Sequence, residues 1–238
     1  MKRWAKAILI LMVLCTVLIM VTAFYANDYY RAVGVEKYIT DSENVKVVNI
    51  KEGYFFDGPG TEDALIFYPG GKVDETAYSP ILNSLAEKGV DCFLISMPLR
   101  LAVFGQNKAD DILDEYNYSH YYLSGHSLGG VMASSYCAGH TKEFSGLFLL
   151  AAYPATDLND AQFPIVYIYG TNDKVLDTDK VEKSFSLVPS DYAKTVIEGG
   201  NHAQFGSYGV QDGDGNATIS SEEQWQVTVD TILKAVNG

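Results

Sequence analysis

Basic side chains are in short supply. The 238 residues hold 17 Lys and Arg against 30 Asp and Glu, a formal net charge of −13, so the chain is poorly suited to gather nucleic acid or another polyanion. Cysteine is scarcer still, with Cys15, Cys92 and Cys137 the whole complement. Cys15 falls inside an apolar run, which leaves at most one pair and excludes a disulfide framework; Cys92 and Cys137 read as small buried hydrophobes. Internal repeats, low-complexity tracts and a linker to a second domain are lacking too. What is left is one domain of ordinary size and the segment that precedes it.

A single long hydrophobic run is present. The twenty residues from Ala7 to Ala26 carry no charge, enough to span a bilayer core as a helix. Lys2, Arg3 and Lys6 precede it, Trp4 suits one interface, and Tyr25, Tyr29 and Tyr30 suit the other. The positive flank places the N-terminus in the cytoplasm and the remainder outside. A cleaved signal peptide would have a shorter apolar region and a small residue three places before the cut, where Phe24 stands ahead of Ala26. The expected organisation is a signal anchor over residues 1–26, a polar tether over 27–44 and one domain over 45–238. The protein is then a single-pass membrane protein with its domain extracytoplasmic; secretion after cleavage is the alternative. The exported part keeps 14 basic and 30 acidic residues, a net of −16.

Along that domain, 45–50 reads as a strand and 53–58 as its hairpin partner, closed by Gly58-Pro59-Gly60. The continuous apolar run 64–68 stops at Pro69-Gly70-Gly71, as a strand buried on both faces would. A helix follows over 79–88, with Ser79 as cap, Pro80 in the first turn and Gly89 as its end. Strands at 90–96, 120–123, 146–152, 165–169 and 195–197 then alternate with helices at 107–116, from Val131, near 179–187, and at 221–236. Alternation of this kind specifies an α/β class with a mostly parallel sheet and helices on both faces.

Chemistry concentrates at Ser124-Gly125-His126-Ser127-Leu128-Gly129-Gly130, a G-x-S-x-G pattern between a strand and a helix. The glycines allow a sharp turn that pushes the Ser127 hydroxyl out beside the free N–H groups of a helix N-terminus, which suit an oxyanion. A serine needs a base within hydrogen-bond reach, oriented by an acid. Of the four histidines, His126 points away from the serine oxygen in such a turn, and His120 and His140 read as structural. His202 leaves a strand's C-terminal end, where sites gather in open α/β sheets. Asp173 leaves another, and the chain order becomes Ser127, Asp173, His202. Asp157 is the alternative acid; Asp177 and Asp179 read as helix caps.

From about Asp63 to Val236 the chain resembles the α/β-hydrolase superfamily, in the compact branch that includes dienelactone-hydrolase-like proteins. The matching residues are Tyr68-Pro69-Gly70-Gly71, Gly125–Gly130, Gly170-x-x-Asp173-x-Val175 and Gly200-x-His202. Where many relatives carry His-Gly this chain has Pro69-Gly70, and the stretch from Ala152 to Pro164 is too short for a large lid. The resemblance implies a serine hydrolase acting on a small or medium ester, thioester or lactone, with no cofactor. Ser127 would be the nucleophile, His202 the base and Asp173 its orienting acid. The oxyanion would lie on the backbone N–H groups of Leu128 and Gly71, with Lys72 as second choice for the latter. Acyl transfer or peptide hydrolysis uses the same triad, and a non-catalytic membrane-tethered binding module is the contrasting class. Leu99, Leu101, Val103 and Phe104 fit either an acyl pocket or core beneath a loop.

A last pattern, Asp212 to Glu223, matches a calcium-binding loop at Asp212, Asp214, Asn216, the Thr218 carbonyl and Glu223. Ala217 replaces the glycine of its sharp turn and no helix enters it. It reads instead as a turn-rich loop ending in a capping box opened by Ser220 or Ser221, with no metal expected.

Overall fold

The computed structural model describes residues 3–238; Lys2 of the positive flank lies outside the described residues. Helix α1 (Arg3–Asn27) carries the apolar run, is unburied, and is long and apolar enough to cross a membrane. At about 1.5 Å per residue its 25 residues exceed a hydrocarbon core of roughly 30 Å.

Eight strands form one sheet: β1 (Lys46–Ile50), β2 (Gly53–Asp57), β3 (Asp63–Tyr68), β4 (Val90–Ile95), β5 (His120–His126), β6 (Gly146–Leu150), β7 (Ile165–Gly170) and β8 (Ala193–Ile197). Their spatial order is β1-β2-β4-β3-β5-β6-β7-β8. β1 and β2 pair antiparallel, β2 joins β4 antiparallel, and every pairing from β4 to β8 is parallel. Side chains alternate across β3: Leu65 and Phe67 enter one core layer, and Ala64, Ile66 and Tyr68 the other. The first layer is closed by α2 (Ser79–Glu87) and α6 (Ser221–Val236). The second is closed by α3 (Ala109–Glu115), α4 (Leu128–Gly139) and α5 (Thr178–Ser184). Helices therefore cover both faces, and the 14-residue passage from Ala151 to Pro164, between β6 and β7, carries no lid.

Cys92 lies in the first layer and Cys137 in the second, both buried and free. Burial pushes the Cys137 thiol up to about 12, the behaviour of a packing residue. Two local expectations shift. The cap foreseen at Ser79 stands earlier: Asp74 accepts the Thr76 N–H and opens a 3-10 turn, Glu75–Tyr78, that runs into α2. The helix foreseen over 107–116 narrows to α3, because tight 3-10 turns occupy much of 98–108. At the other end the capping box forms on Ser220, with Glu223 returning to the Ser220 N–H.

The stretch that follows α1 runs along the domain. Tyr30 bridges to Val73 as a one-residue parallel pair, and the Val33 N–H donates to the Ser207 carbonyl at 2.8 Å. Tyr38 packs edge-on against Trp225, and its carbonyl accepts from Asn83.

Candidate active site

Ser127 sits between the end of β5 and the start of α4 with φ 52° and ψ −123°. A non-glycine residue rarely adopts a positive φ, and such strain collects where a side chain must be presented. The turn is held by the Ser127 N–H, which donates to the Leu150 carbonyl at 2.9 Å. It also needs two residues without side chains. A Cβ on Gly125 would stand 2.6 Å from the Gly129 carbonyl carbon, and one on Gly129 would stand 2.2 Å from the Tyr68 oxygen. Helix α4 thus starts pressed against the end of β3.

His202 follows β8 and Asp173 follows β7, and the fold brings them together. Nδ1 of His202 lies 2.9 Å from Oδ2 of Asp173, both side chains being about 2% exposed. The other carboxylate oxygen accepts the N–H groups of Val175 and Leu176 at 2.9 and 2.8 Å, which fixes its orientation. His202 Nε2 is buried and makes no hydrogen bond, and His202 and Ser127 line the same hollow. Asp157 takes no part: it is exposed and accepts from Asn159. His120 faces Asp63, His140 stacks on Tyr136, and Asp177 caps α5.

Gly71 lies beside Leu128, since a Cβ there would meet Leu128 Cδ2 at 3.0 Å. Leu128 is the first residue of α4, so its N–H has no acceptor within the helix. Neighbouring N–H groups of the Pro69–Lys72 loop are already used. Gly70 donates to the Tyr78 hydroxyl at 3.0 Å and Lys72 to the Arg100 carbonyl at 2.9 Å. Gly71 alone among those three makes no hydrogen bond within the described residues.

Tyr78 accepts from Gly70 and shares a hydrogen bond with His126 Nδ1, 2.8 Å away. His126 itself is buried. Burial, and next the adjacent His202 ring, hold its pKa well below the ordinary value. Burial pushes the Tyr78 hydroxyl up, so it stays protonated. The two histidine rings are tilted at 51°, with centroids 4.5 Å apart. A neutral relay of Gly70, Tyr78 and His126 therefore underlies both the loop and the His202 ring.

The 212–216 loop has a second partner set. Asp214 Oδ1 accepts the Lys174 N–H at 3.2 Å and its Oδ2 accepts the Ala203 N–H at 2.9 Å. One carboxylate thus ties the residue after Asp173 to the residue after His202. Buried Gln224 of α6 exchanges two hydrogen bonds with the Asn201 backbone, and Asn201 reaches the Gly215 carbonyl. With Asp214 engaged by backbone N–H groups and Glu223 in the capping box, the described residues contain no cluster of three or more metal-binding side chains. Sequence reasoning noticed Asp214 only as a calcium-loop position and passed over Tyr78 and Gln224.

The hollow that Ser127 and His202 share has a volume of about 390 Å³. Val131, Ala152, Tyr153, Val175 and Leu176 give it an apolar wall, and Asp177 and Lys180 also line it. Of the four residues considered for an acyl pocket, none lines this hollow. Leu101 packs near Gly71, while Leu99, Val103 and Phe104 are exposed.

A family model described as "Alpha/beta hydrolase family" matches residues 64–226. Among solved structures, TT1662 from Thermus thermophilus is similar at TM-score 0.61 and 12% identity, over 82% of this chain and 99% of that one. A CIB-like hydrolase from Thermoplasma acidophilum gives 0.59 and 14%, over 80% and 97%. Est1E from Butyrivibrio proteoclasticus gives 0.56 and 11%, over 82% and 100%, and in a further structure it holds ferulic acid. No curated protein matches the chain.

Proposed function

The chain belongs to the alpha/beta hydrolase family, and on that premise we propose that it is a membrane-anchored serine hydrolase cleaving a carboxylic ester, thioester or lactone. The observation that carries the reading is the His202 ring. Its Nδ1 is bound to Asp173 at 2.9 Å, and its Nε2 is buried, unpartnered and on the hollow that Ser127 lines. A side chain held at one nitrogen and free at the other is a base waiting for a proton donor.

Ser127 Oγ attacks the acyl carbon and passes its proton to His202 Nε2. Asp173 keeps the other nitrogen protonated and stabilises the resulting imidazolium. The carbonyl oxygen becomes an oxyanion between the N–H groups of Leu128 and Gly71, each such donor being worth about 3 kcal/mol in the transition state. Collapse expels the alcohol or thiol, which takes the proton from Nε2. Water, deprotonated by the same nitrogen, then releases the acid and restores Ser127. Ferulic acid on Est1E, a protein of this fold, is a carboxylic acid and so belongs to the class of product such cleavage releases. Helix α1 anchors the domain, with residues 1–26 as the signal anchor and the domain from 45 onward outside the cytoplasm.

The test is labelling with a fluorophosphonate probe, together with p-nitrophenyl esters of increasing chain length. Wild type should label and turn over, and Ser127→Ala and His202→Ala should not turn over. A folded wild-type protein that neither labels nor hydrolyses any ester overturns the proposal.

A further inference from the structure

The membrane helix ends against the loop that carries Gly71. The Arg100 guanidinium donates to the Ala26 carbonyl at 3.3 Å and lies 3.5 Å above the Tyr29 ring, which Arg31 covers at 4.5 Å. Lys72 pairs with Asp28 and reaches to 4.6 Å from the Tyr25 ring. Tyr30 closes the contact: its N–H donates to the Lys72 carbonyl, and its own carbonyl accepts from Asp74. Lys72 and Arg100 are joined in turn by a backbone hydrogen bond, and both have positive φ, at 57° and 56°. Ser127, Leu128, Gly71, Lys72, Arg100 and the last turn of α1 thus form one connected series.

The segment clasped in this way exposes apolar side chains. Leu99 is 42% exposed, Val103 46% and Phe104 60%. Outside α1, no other stretch of six described residues exposes three large hydrophobic side chains. A protein in water gains nothing from such a cluster, while an interface between lipid and water accepts it. The charges agree. In a chain with a large acidic excess, Arg31 and Arg100 gather on Tyr29, beside Lys72, which stands over Tyr25 with Asp28 as its counter-charge. Aromatic rings and cations together are the composition of a membrane–water boundary, where lipid phosphates supply the counter-charge.

We propose that the 99–104 segment is seated in the surface of the bilayer that α1 spans, and that the substrate is an acyl ester presented by that bilayer, an amphiphile rather than a freely dissolved ester. This rests on the hydrolase reading above for the reaction and on α1 as an anchor for the placement. Holding the Gly71 loop at the surface lets an acyl chain pass from lipid into the apolar hollow without crossing bulk water, which avoids the cost of exposing that chain to water on its way to Ser127.

The full-length chain in phosphatidylcholine–phosphatidylglycerol vesicles provides the test. A p-nitrophenyl ester of a long-chain acid dissolved in the bilayer is compared with water-soluble p-nitrophenyl acetate. The double variant Val103→Ser/Phe104→Ser should lose tenfold or more in kcat/KM on the bilayer ester and stay within twofold on the acetate. Equal losses on both, or no loss on either, overturn the proposal. A second measurement needs no turnover: Phe104→Trp fluorescence, corrected for the parent chain, should be quenched by lipids brominated near the headgroup. If Trp at this position is unquenched while fluorophosphonate labelling of Ser127 persists, the placement fails and the hydrolase reading stands. If quenching occurs without labelling or turnover, the reaction fails and the placement stands.

Discussion

The Tyr78 hydroxyl and His126 Nδ1 share a hydrogen bond across 2.8 Å and 48 residues of chain. Because the same oxygen accepts from Gly70, Tyr78→Phe strands the Gly70 N–H and the buried His126 Nδ1 at once. Each is worth about 1–3 kcal/mol when stranded, so a loss of about 2–4 kcal/mol in unfolding free energy is expected. The freed Gly70 loop should also lower kcat by about tenfold with KM little changed, because Gly71 acts in the transition state. Urea unfolding and ester kinetics on the same preparation check both. A Tyr78→Phe protein as stable as wild type would show that the relay carries no load.

His126 makes stability fall in acid. Its folded pKa is well below 6.5, and the unfolded ring titrates near that value. Below it the unfolded chain binds a proton that the folded chain refuses, so stability is complete above pH 6.5 and declines as pH drops through it. The slope attributable to this ring approaches about 1.4 kcal/mol per pH unit. His126→Gln should remove that component of the slope between pH 6.5 and the folded value. Unfolding free energies measured across that window settle it; parallel curves for the two proteins would refute the assignment.

Asp214 should matter to turnover without touching substrate. In Asp214→Asn one oxygen becomes an amide that cannot accept, so either the Lys174 or the Ala203 N–H loses its partner. A hydrogen bond to a charged group is worth about 1.5–3 kcal/mol, and a kcat reduced by roughly ten- to a hundredfold is expected, with KM less affected. Asp214→Glu should not restore it, since the span is set for the shorter chain. Unchanged kcat in the Asn variant would show that the His202 and Asp173 loops hold each other without help.

The two candidate acids separate cleanly. Asp173→Asn leaves His202 without a carboxylate and should lower kcat by about 10³-fold or more. Asp157→Ala, at an exposed position bonded only to Asn159, should leave kcat within about twofold. Reversal of that order would move the acid to Asp157.

What was legible in the sequence depended on range. Strand alternation, the buried run at 64–68 and the turn glycines at 125 and 129 are local signals, and they placed Ser127, Asp173 and His202 at the ends of β5, β7 and β8. Chain order then paired Asp173 with His202, which the fold brings to 2.9 Å. Tyr78 and Asp214 left no such mark, because each has a partner far along the chain, His126 at 48 residues and Lys174 at 40, and the periodicity of burial is blind to hydrogen bonds. Nor did composition reveal that residues 28–38 lie against the domain. A polar stretch that docks by backbone bridging, as Tyr30 does on Val73, has the same composition as one that swings free.

Ser127 closes the fifth strand of an eight-strand order, while His202 hangs from the last. β8 pairs on one side only, and Ala193, Lys194 and Val196 are exposed. Edge strands open more readily than central ones. Amide exchange should therefore be quicker along β8 than along β5, and fraying there carries the base away from a nucleophile that is still in position. On warming, catalysis should fade before the sheet melts, and it should return on cooling, because the half of the machinery that stays behind is the half with the strained backbone.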